Sequence, residues 1–139
     1  MKKSIFSLIV VIMLLVSVSV SAAPYSVDGI DGGNDASVLV VTNPLYSAVT
    51  VTSGELVVSG YCQSGATLNI YKLSPAGTYD ITGCELQVGA SGVFFQKLAV
   101  NPGRSSFVIR AEMPDGRYQQ RRFDVLYFGG SFVDYIMTF

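Results

Sequence analysis

Between Ser37 and Tyr127 the chain is a series of short apolar runs, each ended by residues that favour turns. The runs are rich in Val, Ile, Thr, Phe and Tyr, and Gly, Pro, Asn, Asp or Ser separate them at near-regular intervals. Such runs predict β-strands linked by tight turns. Six or seven strands in about 90 residues predict an all-β fold, an antiparallel β-sandwich of about seven strands without a required helix.

Alternation along each run separates an inward side from an outward side. The first strand is interrupted at Asn43-Pro44, and six further runs follow it. The apolar side of these six runs predicts the core, which comprises Leu56, Val58, Cys62, Leu68, Ile70, Cys84, Leu86, Val88, Phe94, Leu98, Val100, Phe107, Ile109, Ala111, Phe123, Val125 and Tyr127.

The first 22 residues have the plan of a secretory signal peptide. Lys2 and Lys3 precede an apolar run, and small residues close the segment at Ser21-Ala22. We expect cleavage after Ala22, which predicts a secreted protein or one of the cell envelope, extracellular or periplasmic. An uncleaved anchor is the alternative, because the apolar run is only slightly short for a membrane span.

The rest of the chain divides into three parts. Residues 23–36 are predicted as a flexible Gly- and Asp-rich leader, residues 37–128 as the sandwich, and residues 129–139 as an apolar C-terminal strand or tail. Without Lys2 and Lys3 the chain has seven basic and ten acidic residues, since all acidic residues lie after position 22. This balance predicts no nucleic-acid partner.

The chain has two cysteines, Cys62 and Cys84, and both lie on the apolar side of their strands. An oxidising compartment lets such a pair persist as a disulfide, which would close a loop of about 20 residues and add about 3 kcal/mol. Two free thiols that pack as small apolar groups are the alternative. A metal site or a redox pair is not predicted, because the chain has no His and no Cys-x-x-Cys spacing.

Three stretches, VTSGELVVSGYCQSGATLNIY, GVFFQKLAVNPGRSSFVIRAEMPDG and RFDVLY, resemble the bacterial Ig-like modules of secreted and cell-surface proteins. The type found beside glucodextranase-like enzymes is the most similar. The matching positions are Ser59-Gly60, Gly65-Ala66, Gly92, Phe94, Leu98, Val100, Gly103, Ala111, Asp115-Gly116, Val125 and Tyr127. The resemblance covers about Val38 to Tyr127, and it implies an Ig-like sandwich that serves as a non-catalytic spacer, adhesive unit or substrate-presenting module.

No pattern in the chain predicts an enzyme. A catalytic triad needs a base beside its nucleophile, and the chain has no His to supply one. Asp80 with Glu85 and Glu112 with Asp115 are neighbouring carboxylates in the sequence, but charged residues at turns are solvated surface in most proteins. We therefore predict no catalytic residue and no cofactor.

The leader carries Asp28, Asp31 and Asp35 among glycines. Carboxylate oxygens on a flexible backbone are ligands that calcium prefers, although this spacing matches no complete calcium loop. The sequence therefore predicts no metal, and calcium at these three aspartates is the alternative to a solvated linker.

Aromatic and basic residues at outward positions form a candidate binding face. Tyr61, Asn69 and Tyr71 lie on the outward side of the middle strands, where sugar rings can stack on tyrosine. Arg117 and Arg121 share one side of the last strand and suit an acidic glycan or another partner. Cross-strand packing of the tyrosines and protection of an edge strand by charge are the structural alternatives.

The C-terminal stretch FGGSFVDYIMTF places a Gly-Gly-Ser break and eight mainly apolar residues after the last predicted strand. Val133, Tyr135, Met137 and Phe139 fall on one side, so the stretch can form one more strand. Three destinations are open: its own sandwich, a strand of another subunit by β-augmentation, or export and surface machinery.

These features together predict an exported, non-catalytic Ig-like module that binds a protein partner or a cell-surface glycan. The alternative is a self-assembling extracellular subunit of a filament or surface layer, in which the C-terminal strand builds a homo-oligomer. A glycan-degrading enzyme would need a groove with two facing carboxylates.

Overall fold

Every regular element between residues 23 and 128, the part of the chain that the computed structural model describes, is a β-strand. The strands are β1 (Ser26–Val27), β2 (Gly32–Gly33), β3 (Leu39–Asn43), β4 (Ala48–Val51), β5 (Glu55–Cys62), β6 (Thr67–Leu73), β7 (Tyr79–Gln87), β8 (Val93–Ala99), β9 (Gly103–Glu112) and β10 (Tyr118–Tyr127). Within these residues there is accordingly no apolar helix of membrane-spanning length.

The strands form two sheets that pack face to face. The small sheet has the order β3-β5-β8, and the large sheet has the order β1-β7-β6-β9-β10-β2, with β4 also paired to β10. If β3 and β4 are counted as one interrupted strand, seven long strands divide between the sheets as in an Ig-like sandwich. The predicted fold class is confirmed. Among the described pairs, β4 with β10 is parallel and the others are antiparallel.

The first long strand changes sheets at its predicted interruption. β3 pairs with β5, the chain passes the cis Asn43-Pro44 bond, and β4 then pairs with β10 in the large sheet. The Arg121 guanidinium donates to the carbonyls of Val41 and Leu45 at 2.9 and 2.7 Å. Arg121 therefore holds the crossing in place.

One apolar layer fills the space between the sheets, and every residue predicted as core contacts it. Cys84, Leu86 and Tyr127 are half-buried at its margin, and the other predicted core residues are buried. The layer includes the stacked rings of Phe107 and Phe123, whose centroids lie 5.6 Å apart. The alternation in the sequence therefore located the core correctly.

A second, smaller cluster lies on the outer face of the large sheet. Tyr71, Tyr79 and Val108 are buried there, and Val27 of the leader packs against them. The Tyr71 hydroxyl donates to the Pro24 carbonyl at 3.0 Å. The leader therefore covers the apolar side chains of this face and also supplies a hydrogen-bond partner for a polar atom.

The leader is held on the large sheet, in contrast to the flexible segment that its composition predicts. β1 pairs with β7, and β2 pairs with β10. The buried side-chain amide of Gln120 donates to the carboxylate and carbonyl of Asp28 and to the Ile30 carbonyl at 2.7–3.0 Å. These bonds offset the conformational entropy that a Gly-rich segment loses when it is ordered.

Two predicted segments lie outside the described residues. These are the signal peptide, residues 1–22, and the C-terminal strand with Val133, Tyr135, Met137 and Phe139. Both stay predictions from the sequence.

Replacement of Phe123 by Ala should lower the free energy of unfolding by about 3–5 kcal/mol, because the fully buried ring would leave a cavity against Phe107. Urea denaturation followed by circular dichroism measures this loss. The matched control is Phe95→Ala, which truncates an exposed ring and should change stability by no more than about 0.5 kcal/mol. Equal losses in the two variants would contradict the described core.

Stability should also fall in alkaline solution. Burial, together with the nearby Glu112 carboxylate, raises the pKa of Tyr71 from 10.0 to about 12. The unfolded chain then releases this proton more readily than the folded one, so the stability that Tyr71 contributes is complete below about pH 10 and declines as pH rises towards 12. In Tyr71→Phe the decline between these pH values should be shallower. Tyr61→Phe, which alters an exposed tyrosine, is the control, and identical slopes in all three proteins would refute the assignment.

Candidate functional site

The two cysteines occupy different sheets. Cys62 ends β5, the central strand of the small sheet, whereas Cys84 lies on β7, the outermost long strand of the large sheet. Both residues are free thiols in the structure, so the predicted disulfide was wrong. They contact the same core as separate apolar groups, which agrees with the alternative stated for them.

The five residues of the predicted binding face do not share a surface. Tyr61 points outward from the small sheet, whereas Asn69 and Tyr71 are buried on β6 of the large sheet. The prediction was wrong for the last two, because the leader covers Tyr71 and because Asn69 lies between Glu85 and Arg110 of the neighbouring strands.

The two arginines of that predicted face bind within the chain. Arg117 pairs with Asp115 at 2.8 Å and with Asp35 at 3.1 Å, which ties the β9–β10 turn to the leader. Arg121 donates to the carbonyls of the β3–β4 crossing, as described above. Their guanidinium groups therefore serve the fold and do not form a basic strip for a ligand.

The leader aspartates that were the calcium alternative are bonded separately. Asp28 accepts from Gln120, and Asp31 accepts from the backbone amide of Arg122. Hydrogen bonds from Ser37, and then from Arg117, hold the pKa of Asp35 below its ordinary value. Within residues 23–128 no three carboxylate, Cys or His side chains come together as metal ligands.

The neighbouring carboxylates Glu112 and Asp115 are also in ion pairs. Glu112 pairs with Arg110, and Asp115 pairs with Arg117. The backbone and side-chain hydrogen bonds from Arg117 lower the pKa of Asp115, so this carboxyl stays ionised at neutral pH. Such a group is a poor proton donor for acid catalysis.

The outward side of the small sheet is apolar. Val40, Tyr61 and Val93 are 51%, 57% and 55% exposed. They form one cross-strand row, since Val40 pairs with Tyr61 and Tyr61 pairs with Val93. Phe95 is 60% exposed in the next outward row, opposite Ser59. We call Val40, Tyr61, Val93 and Phe95 the apolar face.

Polar residues border the apolar face. Ser59 lies opposite Phe95, Lys97 follows on β8 opposite Val57, and Glu55 lies one row further along β5. An apolar centre with a polar rim is the usual arrangement of a protein-binding surface. Its two aromatic rings would each bury about 150–250 Å² on contact with a partner.

Sequence reasoning found Tyr61 and missed the other three members of the apolar face. The signal lies in Val93-Phe94-Phe95, where apolar residues fall on both sides of one strand. Alternation assigns Phe94 to the core, so Val93 and Phe95 must point outward. Packing in the core therefore does not explain why these two side chains are apolar. Their place in rows with Tyr61 and Ser59 of β5, and so on the same face as Val40, depends on the register, which the sequence does not fix.

Two open grooves lie on the outer face of the large sheet. One, of about 340 Å³, is lined by the leader together with Arg110, Tyr118 and Gln120. These three side chains bind one another: Arg110 donates to Gln120 at 2.9 Å and stacks on the Tyr118 ring at 3.9 Å. The polar groups that would select a ligand are thus already engaged within the chain.

The other groove, of about 530 Å³, is shallow and lies over β4, β9 and β10. Arg104, Leu73 and the ion pair of Arg122 with Asp124 contribute to its walls. Its chemistry is mixed, and it lacks the aromatic rings that distinguish the apolar face.

β8 is an edge of the small sheet, since β5 is its one partner within the described residues. The Cys62 amide donates to the Gly92 carbonyl at 2.7 Å, and the Val100 amide donates to the Gly54 carbonyl at 2.8 Å. Hydrogen-bonded pairs alternate along an antiparallel ladder, so the even-numbered residues bind β5. The odd-numbered residues direct their backbone groups to the open edge; they are Val93, Phe95, Lys97 and Ala99.

A comparison with known protein families and with characterised proteins finds no match for the chain. The resemblance to bacterial Ig-like modules therefore stays an expectation from the sequence. The fold itself is established by the strand order and by the apolar layer.

The two thiols should differ in reactivity in the native protein. Burial raises the pKa of Cys62 to about 12, which leaves almost no thiolate at neutral pH, whereas Cys84 is half-buried at the margin of the core. A maleimide should therefore label Cys84 first, as read by peptide mass spectrometry, and Cys84→Ser should abolish the fast phase. After denaturation without reductant both thiols should react. Two unreactive cysteines under those conditions would show that they are joined.

Proposed function

We propose that this protein is an exported, non-catalytic Ig-like binding module that docks on a protein partner through the apolar face. The observation that supports this function best is the row of Val40, Tyr61 and Val93 with Phe95 beside it, all more than half exposed. Contiguous exposed apolar residues on a soluble domain mark interaction sites.

The composition of the apolar face favours a protein partner over a glycan. Glycan sites combine an aromatic platform with several converging hydrogen-bond donors and acceptors. Here two aliphatic side chains, Val40 and Val93, share the surface with the rings, and polar groups occur at the rim. An apolar patch on another protein would complement this arrangement.

Export is supported by residues 1–22, which have the basic start, apolar run and small final residues of a signal peptide. The absence of His from the whole sequence, and the ion pairs that engage Glu112 and Asp115, support a non-catalytic role.

The alternative function, a self-assembling extracellular subunit, rests on residues 129–139, which lie outside the described residues. The open edge of β8 favours it, because an edge strand can pair with a strand of another copy. A molar mass that rises with concentration would support this alternative and count against the monomeric binding module.

Peptides selected from a displayed random library on the immobilised chain 23–139 test the proposed function. We expect peptides rich in apolar and aromatic residues, and Tyr61→Ser with Phe95→Ser should weaken their binding at least about 10-fold, as for aromatic hot spots. Fluorescence polarisation measures the affinity.

The matched control replaces Leu45 and Tyr46 by Ser. Both are exposed apolar residues, but they lie on the β3–β4 crossing and not on the apolar face. Peptides that lose affinity equally in both double variants would refute docking at the apolar face. Binding on a glycan array that depends on Tyr61 and Phe95, with no selected peptide, would replace the protein partner by a glycan.

A further inference from the structure

Within residues 23–128 the open edge of β8 is available to one further strand. A row of backbone groups that point away from β5 is a template for an extended chain. Two of these groups have hydrogen bonds to neighbours in the sequence: the Val93 amide donates to Ser91 Oγ at 3.4 Å, and the Lys97 carbonyl accepts from the Gln96 side-chain amide at 3.0 Å. A strand that pairs with β8 can replace such local bonds.

The opposite border of the small sheet is bonded to a distant part of the chain. β3 forms that border, and the Gln63 amide donates to the Val38 carbonyl at 3.1 Å, so the even-numbered residues of β3 bind β5. The Val41 carbonyl therefore points away from β5, and it accepts from the Arg121 guanidinium at 2.9 Å. A strand added beside β3 would displace Arg121 from the β3–β4 crossing, so β8 is the better acceptor.

The side chains along the open edge indicate what kind of strand fits it. Val93 and Phe95 are exposed members of the apolar face, and Lys97 is exposed and is the single charged residue of β8. Residues directly opposite each other in an antiparallel pair share one side of the sheet and contact each other. A strand with apolar residues opposite Val93 and Phe95 and a carboxylate opposite Lys97 is therefore complementary to this edge.

A second copy of β8 does not have this complementarity. Antiparallel pairing of two copies through Phe95 and Lys97 places the two lysines opposite or diagonal to each other, and like charges in these positions are destabilising. The edge is thus suited to a segment of a different protein.

We infer that the partner of the apolar face presents an extended segment of alternating apolar residues, which pairs antiparallel with the open edge of β8 and has a carboxylate opposite Lys97. The backbone of this segment contributes hydrogen bonds, and its outward side chains continue the apolar face beyond Val93 and Phe95. The inference deepens the proposed function and rests on it, because it specifies the segment that occupies the same face.

Charge exchange in the chain 23–139 tests the register. The probe is a blocked, fluorescein-labelled peptide of nine residues, in which Thr alternates with Val, Glu, Val and Phe in that order. Its Glu lies opposite Lys97 in the inferred register, and the next Val and the Phe lie opposite Phe95 and Val93. Fluorescence polarisation measures its affinity.

Lys97→Glu should weaken binding of this peptide at least about 5-fold, because an attraction becomes a repulsion. A peptide with Lys in place of Glu should bind Lys97→Glu more tightly than the unaltered chain. Arg104→Glu, which reverses an exposed charge on the large sheet, is the control and should change neither affinity. Affinities that do not change with the charge at position 97 would contradict the register.

Methylation of the peptide backbone tests the strand pairing itself. N-methyl groups on Glu and on the Val that follows it remove two amide donors that face β8, and binding should weaken at least about 10-fold. The same groups on the two Thr residues next to this Glu alter amides that face away, and the affinity should stay within about 2-fold. Equal effects of the two patterns, or no saturable binding up to about 1 mM of the unmethylated peptide, would overturn the inference.

Two further outcomes separate the inference from its alternatives. If peptides selected from the library need Tyr61 and Phe95 but tolerate methyl groups at every backbone amide, the proposed function stands and the strand pairing fails. Light scattering should show a monomer that binds one peptide. A dimer that the peptide dissociates would assign the edge to a second copy and overturn the inferred partner.

Discussion

The two sheets are held together by one layer of inward side chains, in which Phe107 and Phe123 stack. Each long strand contributes alternate residues to this layer, and burial of apolar area at about 25 cal/mol per Å² is the main source of stability in such a sandwich. The layer uses one side of every long strand. The residues on the outward sides are therefore not constrained by this layer. The outward side of the large sheet is covered, whereas that of the small sheet is exposed.

The large sheet needs a cover for its outward side, because that side carries Tyr71, Tyr79 and Val108. The leader supplies both apolar contact through Val27 and an acceptor for the Tyr71 hydroxyl. The small sheet has an apolar outward side of similar character, but within residues 23–128 its four large side chains remain more than half exposed. An uncovered surface of this kind is costly unless a partner uses it.

The core and the interruption of the first strand could be read from the sequence, because alternation and the Asn43-Pro44 break are local properties of the chain, whereas the change of sheet at this break could not. The ordered leader could not be predicted from the sequence, because it depends on contacts such as the hydrogen bond from Gln120 to Asp28. These residues are 92 positions apart, and composition does not indicate that they meet. The buried state of Tyr71 follows from the leader and was missed with it. Alternation also placed Cys62 and Cys84 inward, but it does not tell which strands face each other, so their pairing was wrong.

Lys97 makes the open edge of β8 selective. A second copy that paired through the middle of its own β8 would place two lysines opposite or diagonal to each other, and like charges in these positions are destabilising. Lysine on an edge strand is a common device against such pairing. A strand with a carboxylate at the matching position would instead be attracted by Lys97, so the edge would distinguish the two by charge.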